Sequence, residues 1–466
     1  MSDRADFSVE RSLVLGVLAL LVWLPIPLAS ARPWSMALTV MAVGALLVLW
    51  GLQLLRHPER REWRALKAGA PLIALLLIVQ AWAAVQYFAG LTTDPGQTLE
   101  YLLLGLAYTG LFALVLGIFT TRKRLNWLLG TLIVAGTLQA FYGAILVLTD
   151  FEWLRIGPDS GGVVTGTFIN RNHLAGYLEM TLACGIGLML ALREEGAFRW
   201  HHLAGVLIGP KARIRLALII MVIALVMTHS RMGNVAFFSS LIILGGFFTL
   251  VTPTNRLRNL LILVSVLIID VLVISQWFGL EELQKRLAST QIEDEVALVR
   301  DAETGIEREV IVRRENVDRD DVVAYALPQL RERPVTGFGA GAFETSFQRF
   351  PGRDVTGLFN HAHNDFLQFA IEYGLVGVVP LAGFVLWAFW HGLRPMIRRR
   401  SIYRSGVGLG ACMGILSLMI HSATDFNLQM PANAATFVVL CAIAVLAGHH
   451  HRGNRRRSSG RHRGLA

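Results

Sequence analysis

The chain carries at residues 101–119 the apolar run YLLLGLAYTGLFALVLGIF, which contains no charged residue. A run of this length matches the roughly 20 apolar residues that a helix needs to cross the hydrocarbon core of a membrane. Comparable runs recur along the 466 residues, so the sequence predicts an all-α polytopic membrane protein with about twelve transmembrane helices. The predicted spans are 12–29, 35–55, 70–90, 101–119, 125–148, 173–192, 214–229, 234–251, 259–279, 364–391, 405–422 and 433–447.

The low charged fraction supports a membrane protein, and the distribution of basic residues indicates how the spans are oriented. Charged residues make up 16% of the chain, against about 25% in soluble proteins, which excludes one or two ordinary soluble domains. The net charge of +10 would otherwise suggest a nucleic-acid partner. The predicted inner segments, however, hold 28 basic and 7 acidic residues, and the rest of the chain holds 15 and 26. Because basic residues mark the cytoplasmic side, we expect both termini in the cytoplasm and no nucleic-acid partner.

One connection, residues 280–363 between the ninth and tenth spans, is too long for a passive link and holds 16 acidic and 11 basic residues. It shows helical periodicity over 281–299 and 318–333 and a strand-like stretch over 308–314, after a turn signal at 304–305. We therefore predict an extracytoplasmic loop subdomain here. The predicted organisation is helices 1–9 in 1–279, the loop subdomain in 280–363, helices 10–12 in 364–447, and a basic, disordered cytoplasmic tail in 448–466.

Five polar clusters fall on the predicted outer side of the membrane. Polar groups at membrane depth are costly and tend to mark function, and a chance distribution would place them on both sides. Their agreement predicts one site at the outer leaflet. The clusters are residues 166–173, 229–231, 333–341, 361–365 and 421–427.

Several of these residues also have structural explanations. Arg171 and Arg231 would serve as snorkelling anchors, and His421 as a helix-end or interhelical hydrogen-bonding group. Asp425 would cap the next helix. Glu372 lies about two turns into the tenth span and needs a partner, either an Arg or His of the site or a neighbouring span.

Two motifs raise the question of a cofactor. Gly337, Gly339 and Gly341 resemble a dinucleotide fingerprint, but no strand–turn–helix unit surrounds them, so we interpret them as a tight turn that lets backbone approach a partner. His361 and His363 suggest a metal, but zinc normally takes three or four ligands and a third is not evident. We expect neither a metal nor another cofactor.

At these motifs the chain resembles the O-antigen ligase/O-antigen polymerase superfamily of bacterial membrane glycosyltransferases. The resemblance covers about residues 166–431, together with the twelve-span topology and the large loop between spans nine and ten. Each motif alone is weak, but their order and common side are fairly specific. The motifs are G-x-F-x-N-x-N-x-x-A from Gly166 to Ala175, the pair Ser230-Arg231, R-x14-P-x-x-G-x-G from Arg319 to Gly339, H-N-x-x-L-x-x-x-x-E-x-G from His363 to Gly374, and H-x-x-x-D-F-N-x-x-x-P from His421 to Pro431.

The resemblance implies an enzyme of the bacterial inner membrane that moves a glycan from undecaprenyl pyrophosphate to an acceptor hydroxyl at the periplasmic face. It implies no nucleotide-sugar and no metal. The acceptor is a lipid A-core sugar in ligases, the end of another glycan in polymerases, and a Ser or Thr of a protein in a related group. Residue by residue, the resemblance assigns essential roles to Arg231, Arg319 and His363. His361 is not part of that trio, because family members usually match only the His directly before Asn, which here is His363.

The chemistry of these residue types agrees with that assignment. Two Arg guanidinium groups can clamp a pyrophosphate bidentately and replace the electrostatic role of a metal. A His with a pKa of about 6.5 suits a general base at neutral pH, and attack opposite the pyrophosphate would invert the anomeric centre. We expect further substrate contacts from Arg171, Asn170, Asn172, His361, Asn364, Glu372, His421 and Asp425.

Two other classes compete. A polytopic transporter should place charged or broken helices near the bilayer midplane, whereas these polar residues collect at the outer ends. A non-catalytic scaffold for polysaccharide export would not need convergent Arg and His. Within the enzyme class the sequence does not decide the acceptor, and the charged stretch 281–314 is either an acceptor-specific insertion or solvated surface.

Overall fold

In a computed structural model the chain is a bundle of long helices. The structure describes residues 2–57, 63–149, 152–156, 161–192, 210–252, 256, 260, 263–264, 296–300, 307–311, 319–350, 359–399 and 401–450. The helices in these ranges are α1 (Ser2–Trp23), α2 (Pro33–Arg56), α3 (Trp63–Phe88), α4 (Pro95–Ile118), α5 (Arg122–Leu148), α6 (Arg171–Ala191), α7 (Pro210–Met227), α8 (Arg231–Val251), α9 (Arg319–Glu332), α10 (Phe343–Phe347), α11 (Asp365–Arg398), α12 (Ile402–His421) and α13 (Pro431–His449).

Nine helices in the described part of the chain are long and apolar enough to cross a membrane, namely α2–α6, α8 and α11–α13. The protein is therefore a multi-pass membrane protein. Eleven of the twelve predicted spans coincide with a helix, α1 and α7 included. The remaining span, 259–279, falls mainly outside the described residues, so the number twelve stays a prediction.

The loop between α8 and α11 contains a short hairpin and a helix. Strand β1 (Val296–Arg300) pairs antiparallel with β2 (Glu307–Ile311), with Val296 opposite Ile311. The strand-like stretch predicted at 308–314 is thus confirmed over its first residues, and α9 confirms the helix predicted at 318–333. The helix predicted over 281–299 is wrong for residues 296–299, which belong to β1, where the β-branched Val296 and Val299 favour a strand. Residues 281–295 lie outside the described residues.

The centre of the bundle is the contact between α6 and α12. Every residue of α6 from Asn172 to Ala191 is buried. The helices meet through small residues: a Cβ on Gly187 would lie 2.6 Å from Gly410 Cα, and one on Gly410 would lie 2.7 Å from Ala183 O. Small residues let helix backbones approach closely inside a membrane, where dispersion contacts replace the hydrophobic effect as the driving force.

Helix α11 breaks at Gly374, whose φ of 60° and ψ of −174° lie in a region that is essentially restricted to glycine. The break frees backbone groups on both sides, and the glycine-rich turn pairs with them. Phe338 N donates to Ile371 O at 2.9 Å and Gly339 N donates to Glu372 O at 3.0 Å. Two further hydrogen bonds run in the opposite direction, because Leu375 N and Val376 N of α11 donate to Pro334 O (2.9 Å) and Val335 O (3.3 Å) before the turn.

The turn therefore has a partner, and that partner is α11. Gly337 has a φ of 70°, and a Cβ there would lie 2.6 Å from the carbonyl carbon of Glu372. The prediction that these glycines form a tight turn for close backbone approach is confirmed. Gln86 of α3 locks the arrangement, because its Nε2 donates to Thr336 O (2.7 Å) and Glu372 O (2.8 Å) while its Oε1 accepts from Ala340 N (3.2 Å).

Candidate functional site

Three histidines from distant parts of the chain surround one aromatic ring, Phe426. The His361 ring stacks on it, with centroids 4.2 Å apart and planes inclined by 23°. The His173 and His363 rings meet it edge-on at 4.5 Å and 4.9 Å. We call His173, His361 and His363 the histidine cluster. It joins three of the polar clusters found in the sequence, those at 166–173, 361–365 and 421–427.

Helix caps place two of these histidines. Asn170 caps α6, because its side chain accepts from Asn172 N at 2.8 Å, and His173 follows in the first turn. Asn364 caps α11 by accepting from Leu367 N at 3.0 Å, which puts His363 directly before the helix. Both Asn side chains therefore have a structural role, and Asn172 itself is buried.

The start of α11 is tied to the loop after α12 by hydrogen bonds of Asn364 and Asp365, four of which are no longer than 3.0 Å. Asp365 Oδ2 accepts from Ser422 Oγ (2.7 Å) and from Leu428 N (3.0 Å). Asp365 N donates to Ser422 O at 2.9 Å, and Asn364 Nδ2 donates to Ala423 O at 2.9 Å. This network fixes the segment that carries His361 and His363 against the loop that carries Phe426.

The backbone of His363 is strained. Its φ is 49°, in the left-handed region that non-glycine residues seldom occupy. Such conformations cost of order 1–3 kcal/mol and persist where surrounding structure enforces them, often at active sites. The four hydrogen bonds at the start of α11 supply that enforcement.

His361 belongs to a relay that leads into α11. Gln368 Nε2 lies 3.2 Å from His361 Nδ1 and donates to Glu372 Oε1 at 2.9 Å, while Gln368 Oε1 accepts from Ala362 N at 3.1 Å. Burial, followed by the neighbouring His173, lowers the pKa of His361 from 6.5 to about 4. His361 is therefore neutral at pH 7. Glu372, expected to contact substrate, is completely buried and bonded to Gln368.

Asp425 sits behind the cluster. Its Oδ1 lies 3.6 Å from His173 Nε2 and accepts from Phe426 N at 2.9 Å, and the residue is completely buried. Asn433 Nδ2 donates to His173 O at 2.9 Å and so ties α13 to the same point. Asp425 thus has a carboxylate in position to orient an imidazole of the cluster.

His421 is placed apart from the cluster, inside the contact of α6 with α12. Its Nδ1 lies 2.7 Å from Glu179 Oε1, and Ser417 Oγ donates to Glu179 Oε2 at 2.7 Å. Both members of the His421–Glu179 pair are fully buried. The geometry gives His421 an interhelical bond, the structural alternative considered for it from the sequence.

The three predicted arginines each begin a helix. Arg171 is the first residue of α6 and Arg231 the first of α8, and both are exposed. The N-terminal end of α8 packs against α6, since a Cβ on Gly233 would lie 2.7 Å from Ala175 Cβ. Arg319 is the first residue of α9, and the placement of its side chain lies outside what the structure describes.

Sequence reasoning missed several residues of this region. His173 and Phe426 stood inside quoted motifs without an assigned role, and Gln368 was passed over, although its spacing of four from Glu372 puts both on one face of α11. Glu179 carried a usable signal as an acidic residue in the middle of an apolar span. The described residues contain no group of three His, Cys, Asp or Glu side chains that could hold a metal ion.

These features define a multi-pass membrane protein with a polar site built at helix ends on one end of the bundle. Residues 216–382 match the family model described as O-antigen ligase. The match supports membership of the chain in the O-antigen ligase/polymerase superfamily, and it suggests a glycosyltransferase-like enzyme. No curated protein matches the chain. The matched region contains Arg231, Arg319, His361 and His363 but not Asp425.

Proposed function

We propose that the protein transfers a glycan from undecaprenyl pyrophosphate to an acceptor hydroxyl at the periplasmic face of the bacterial inner membrane. The observation that carries the proposal is the convergence of His173, His361 and His363 on Phe426, at the end of the bundle where α6 and α11 begin. The family match to an O-antigen ligase covers two of these histidines.

In the proposed reaction His363 removes the proton from the acceptor hydroxyl. Its strained backbone supports this role, because strain of this kind is often kept where a side chain must be aimed at substrate. His361 is the weaker candidate for the base, since its lowered pKa of about 4 makes it a poor proton acceptor at neutral pH. Attack by the activated hydroxyl on the face opposite the pyrophosphate would invert the anomeric centre.

Arg231 and Arg319 would bind the leaving pyrophosphate, with Arg171 as a further contact. Each of these arginines begins a helix, where the macrodipole already places a partial positive charge. Backbone N–H groups at a helix N-terminus bind phosphate, and an Arg beside them adds a bidentate donor, so this placement suits a pyrophosphate ligand. The lipid chain would then lie along the apolar helix surfaces within the bilayer.

The test is transfer by the purified protein from a lipid-linked glycan to an acceptor. We expect His363→Ala to lose about 100-fold to 10,000-fold in turnover, the usual contribution of a general base. Arg231→Lys should also lose activity, because Lys keeps the charge but not the bidentate fork. Arg32→Lys is the matched control, since Arg32 is exposed and caps α2 only through its backbone. Turnover of His363→Ala at the wild-type rate would refute the base assignment.

The acceptor decides among a ligase, an O-antigen or exopolysaccharide polymerase and a protein O-oligosaccharyltransferase. Deletion in the native host separates them by the glycan that remains. Lipid A-core without any O-glycan indicates a ligase, and a single repeat on the core indicates a polymerase. Unchanged lipopolysaccharide with a missing exopolysaccharide indicates an exopolysaccharide polymerase, and loss of glycan from protein alone indicates a protein glycosylating enzyme.

A further inference from the structure

The orientation of the Gln368 side chain is determined by its neighbours. Ala362 N can only donate, so the atom facing it at 3.1 Å must be the carbonyl oxygen Oε1. The amide nitrogen Nε2 then faces His361 Nδ1 at 3.2 Å and Glu372 Oε1 at 2.9 Å. An amide nitrogen has two hydrogens and no acceptor site, which matches these two partners in number.

This orientation fixes the proton on His361. Because Gln368 Nε2 donates, His361 Nδ1 must accept, and the single proton of the neutral ring must be on Nε2. Protonation of Nδ1 would set two donors against each other. The stacked Phe426 ring covers a face of the imidazole. With Nδ1 facing Gln368, Nε2 is the ring nitrogen whose proton a ligand oxygen would accept.

We propose that Gln368 is a positioning residue that holds His361 as the neutral tautomer with its proton on Nε2, so that His361 donates a hydrogen bond to a substrate oxygen and does not act as the base. Glu372 is the second positioning residue, because its carboxylate accepts the other Gln368 hydrogen and prevents the amide from rotating. The identity of the substrate rests on the proposed glycan transfer; the tautomer does not.

The surroundings of His361 agree with a neutral donor. The titratable groups that face it are His173, His363 and Asp425. Burial and the two histidines lower its pKa, to about 4, and outweigh the opposing effects of Gln368 and Asp425. In the proposed reaction His361 then donates a hydrogen bond, and His363 accepts a proton.

The direct test is nitrogen NMR of the full-length protein in detergent, with ¹⁵N-labelled histidine. The His361 signals are assigned by their loss in His361→Asn. In the wild type at pH 7 we expect Nε2 to carry the proton and Nδ1 to be unprotonated. In Gln368→Glu combined with Glu372→Gln, which removes the second carboxylate that would compete for the proton, the carboxylate facing Nδ1 should move a proton onto that nitrogen. A wild-type Nδ1 that carries the proton would overturn the proposal, and so would an unchanged tautomer in the double variant.

The functional test compares Gln368→Leu with Gln329→Leu. Gln329 is equally buried, and its side chain bonds to Ser346 Oγ at 2.6 Å and not to a histidine of the cluster. We expect Gln368→Leu to lower kcat/KM roughly ten- to a hundredfold, the loss for one hydrogen bond to a charged group, and Gln329→Leu to leave it near the wild-type value. Equal kcat/KM in both variants would refute the role in the reaction, and if Gln368→Leu does not fold, the wild-type NMR spectrum still decides.

These outcomes are separate from a failure of the proposed function. Full turnover in His363→Ala would refute the base assignment but would leave the proposed His361 tautomer unaffected. A proton on Nδ1 of His361 in an active enzyme would refute the positioning role of Gln368 and would leave the proposed glycan transfer unaffected.

Discussion

Replacing Gly374 by alanine should disconnect the glycine-rich turn from α11. The residue has a φ of 60° and a ψ of −174°, which an L-residue adopts only with strain. A Cβ there would also collide with Val335 O and would lie 2.6 Å from Gly337 N. These are backbone atoms, so no side chain can rotate away to make room.

The cost can be worked from the contacts. The backbone conformation alone contributes of order 1–3 kcal/mol. Relief of the collision requires the turn to move away by about 1 Å, because Cβ contacts under 3.0 Å do not occur. That movement would break the four backbone hydrogen bonds between 334–339 and 371–376, each worth about 0.5–1.5 kcal/mol net. We therefore expect a loss of about 3 kcal/mol or more.

Thermal unfolding in detergent and the transfer assay together test this expectation. Gly374→Ala should melt several degrees below the wild type and lose activity, because the turn supports the part of α11 that carries Gln368 and Glu372. Gly130→Ala is the matched control: it lies within α5, nothing would stand within 4 Å of its Cβ, and alanine is the better helix former. Wild-type melting and turnover in Gly374→Ala would show that the turn does not depend on this break.

Three further predictions concern other contacts. Gln86→Leu should cost about 3 kcal/mol or more in thermal unfolding, because it removes three hydrogen bonds and leaves buried backbone groups unsatisfied; melting like the wild type would contradict this. Glu179→Leu should lower the free energy of unfolding by about 3–5 kcal/mol, because it leaves His421 without its buried partner, and Glu179→Gln should lower it much less. Equal melting temperatures of the two variants would show that the Glu179–His421 pair does not stabilise the protein. The pKa of His361 is lowered to about 4 in the folded protein and has its ordinary value of 6.5 in the unfolded chain, so its contribution to stability is complete above pH 6.5 and is lost as the pH falls towards 4. The melting temperatures of the wild type and His361→Asn should therefore converge over that pH range. A constant difference between them would argue against the lowered pKa.

The helices were predictable because hydropathy determines them locally. Eleven predicted spans overlap helices over most of their length. Their ends agree less well, because ends depend on caps and not on hydropathy. Helix α11 runs on to Arg398, seven residues past the predicted end, and α3 begins at Trp63 instead of residue 70. Both extensions add residues that need not lie in the hydrocarbon core of the membrane. A search for runs of apolar residues does not detect such extensions.

The site was predictable as a region but not as a set of contacts. Sidedness indicated that residues near 170, 363 and 425 lie at one end of the bundle, and the histidine cluster agrees with that. Glu372, expected to lie inside the span and to need a partner, is bonded to Gln368, and His421, also assigned to substrate contact, is paired with the buried Glu179. Their partners, Gln368 and Glu179, differ in distance along the chain: the first is four residues away and readable from helical spacing, and the second is 242 residues away and needs the tertiary fold.

The break in α11 at Gly374 gives a structural reason for the spacing Glu372-x-Gly374. Gly374 ends the regular hydrogen bonding of α11, which leaves the carbonyl of Glu372 for Gln86 and Gly339. Backbone that is not helical at membrane depth is tolerated only where protein satisfies it, so the turn, Gln86 and the break require one another. The carboxylate of Glu372 is meanwhile held by Gln368. We infer that this Glu and Gly act together to hold the first two turns of α11 rigidly beneath the histidine cluster, and that neither needs to touch substrate to matter for activity.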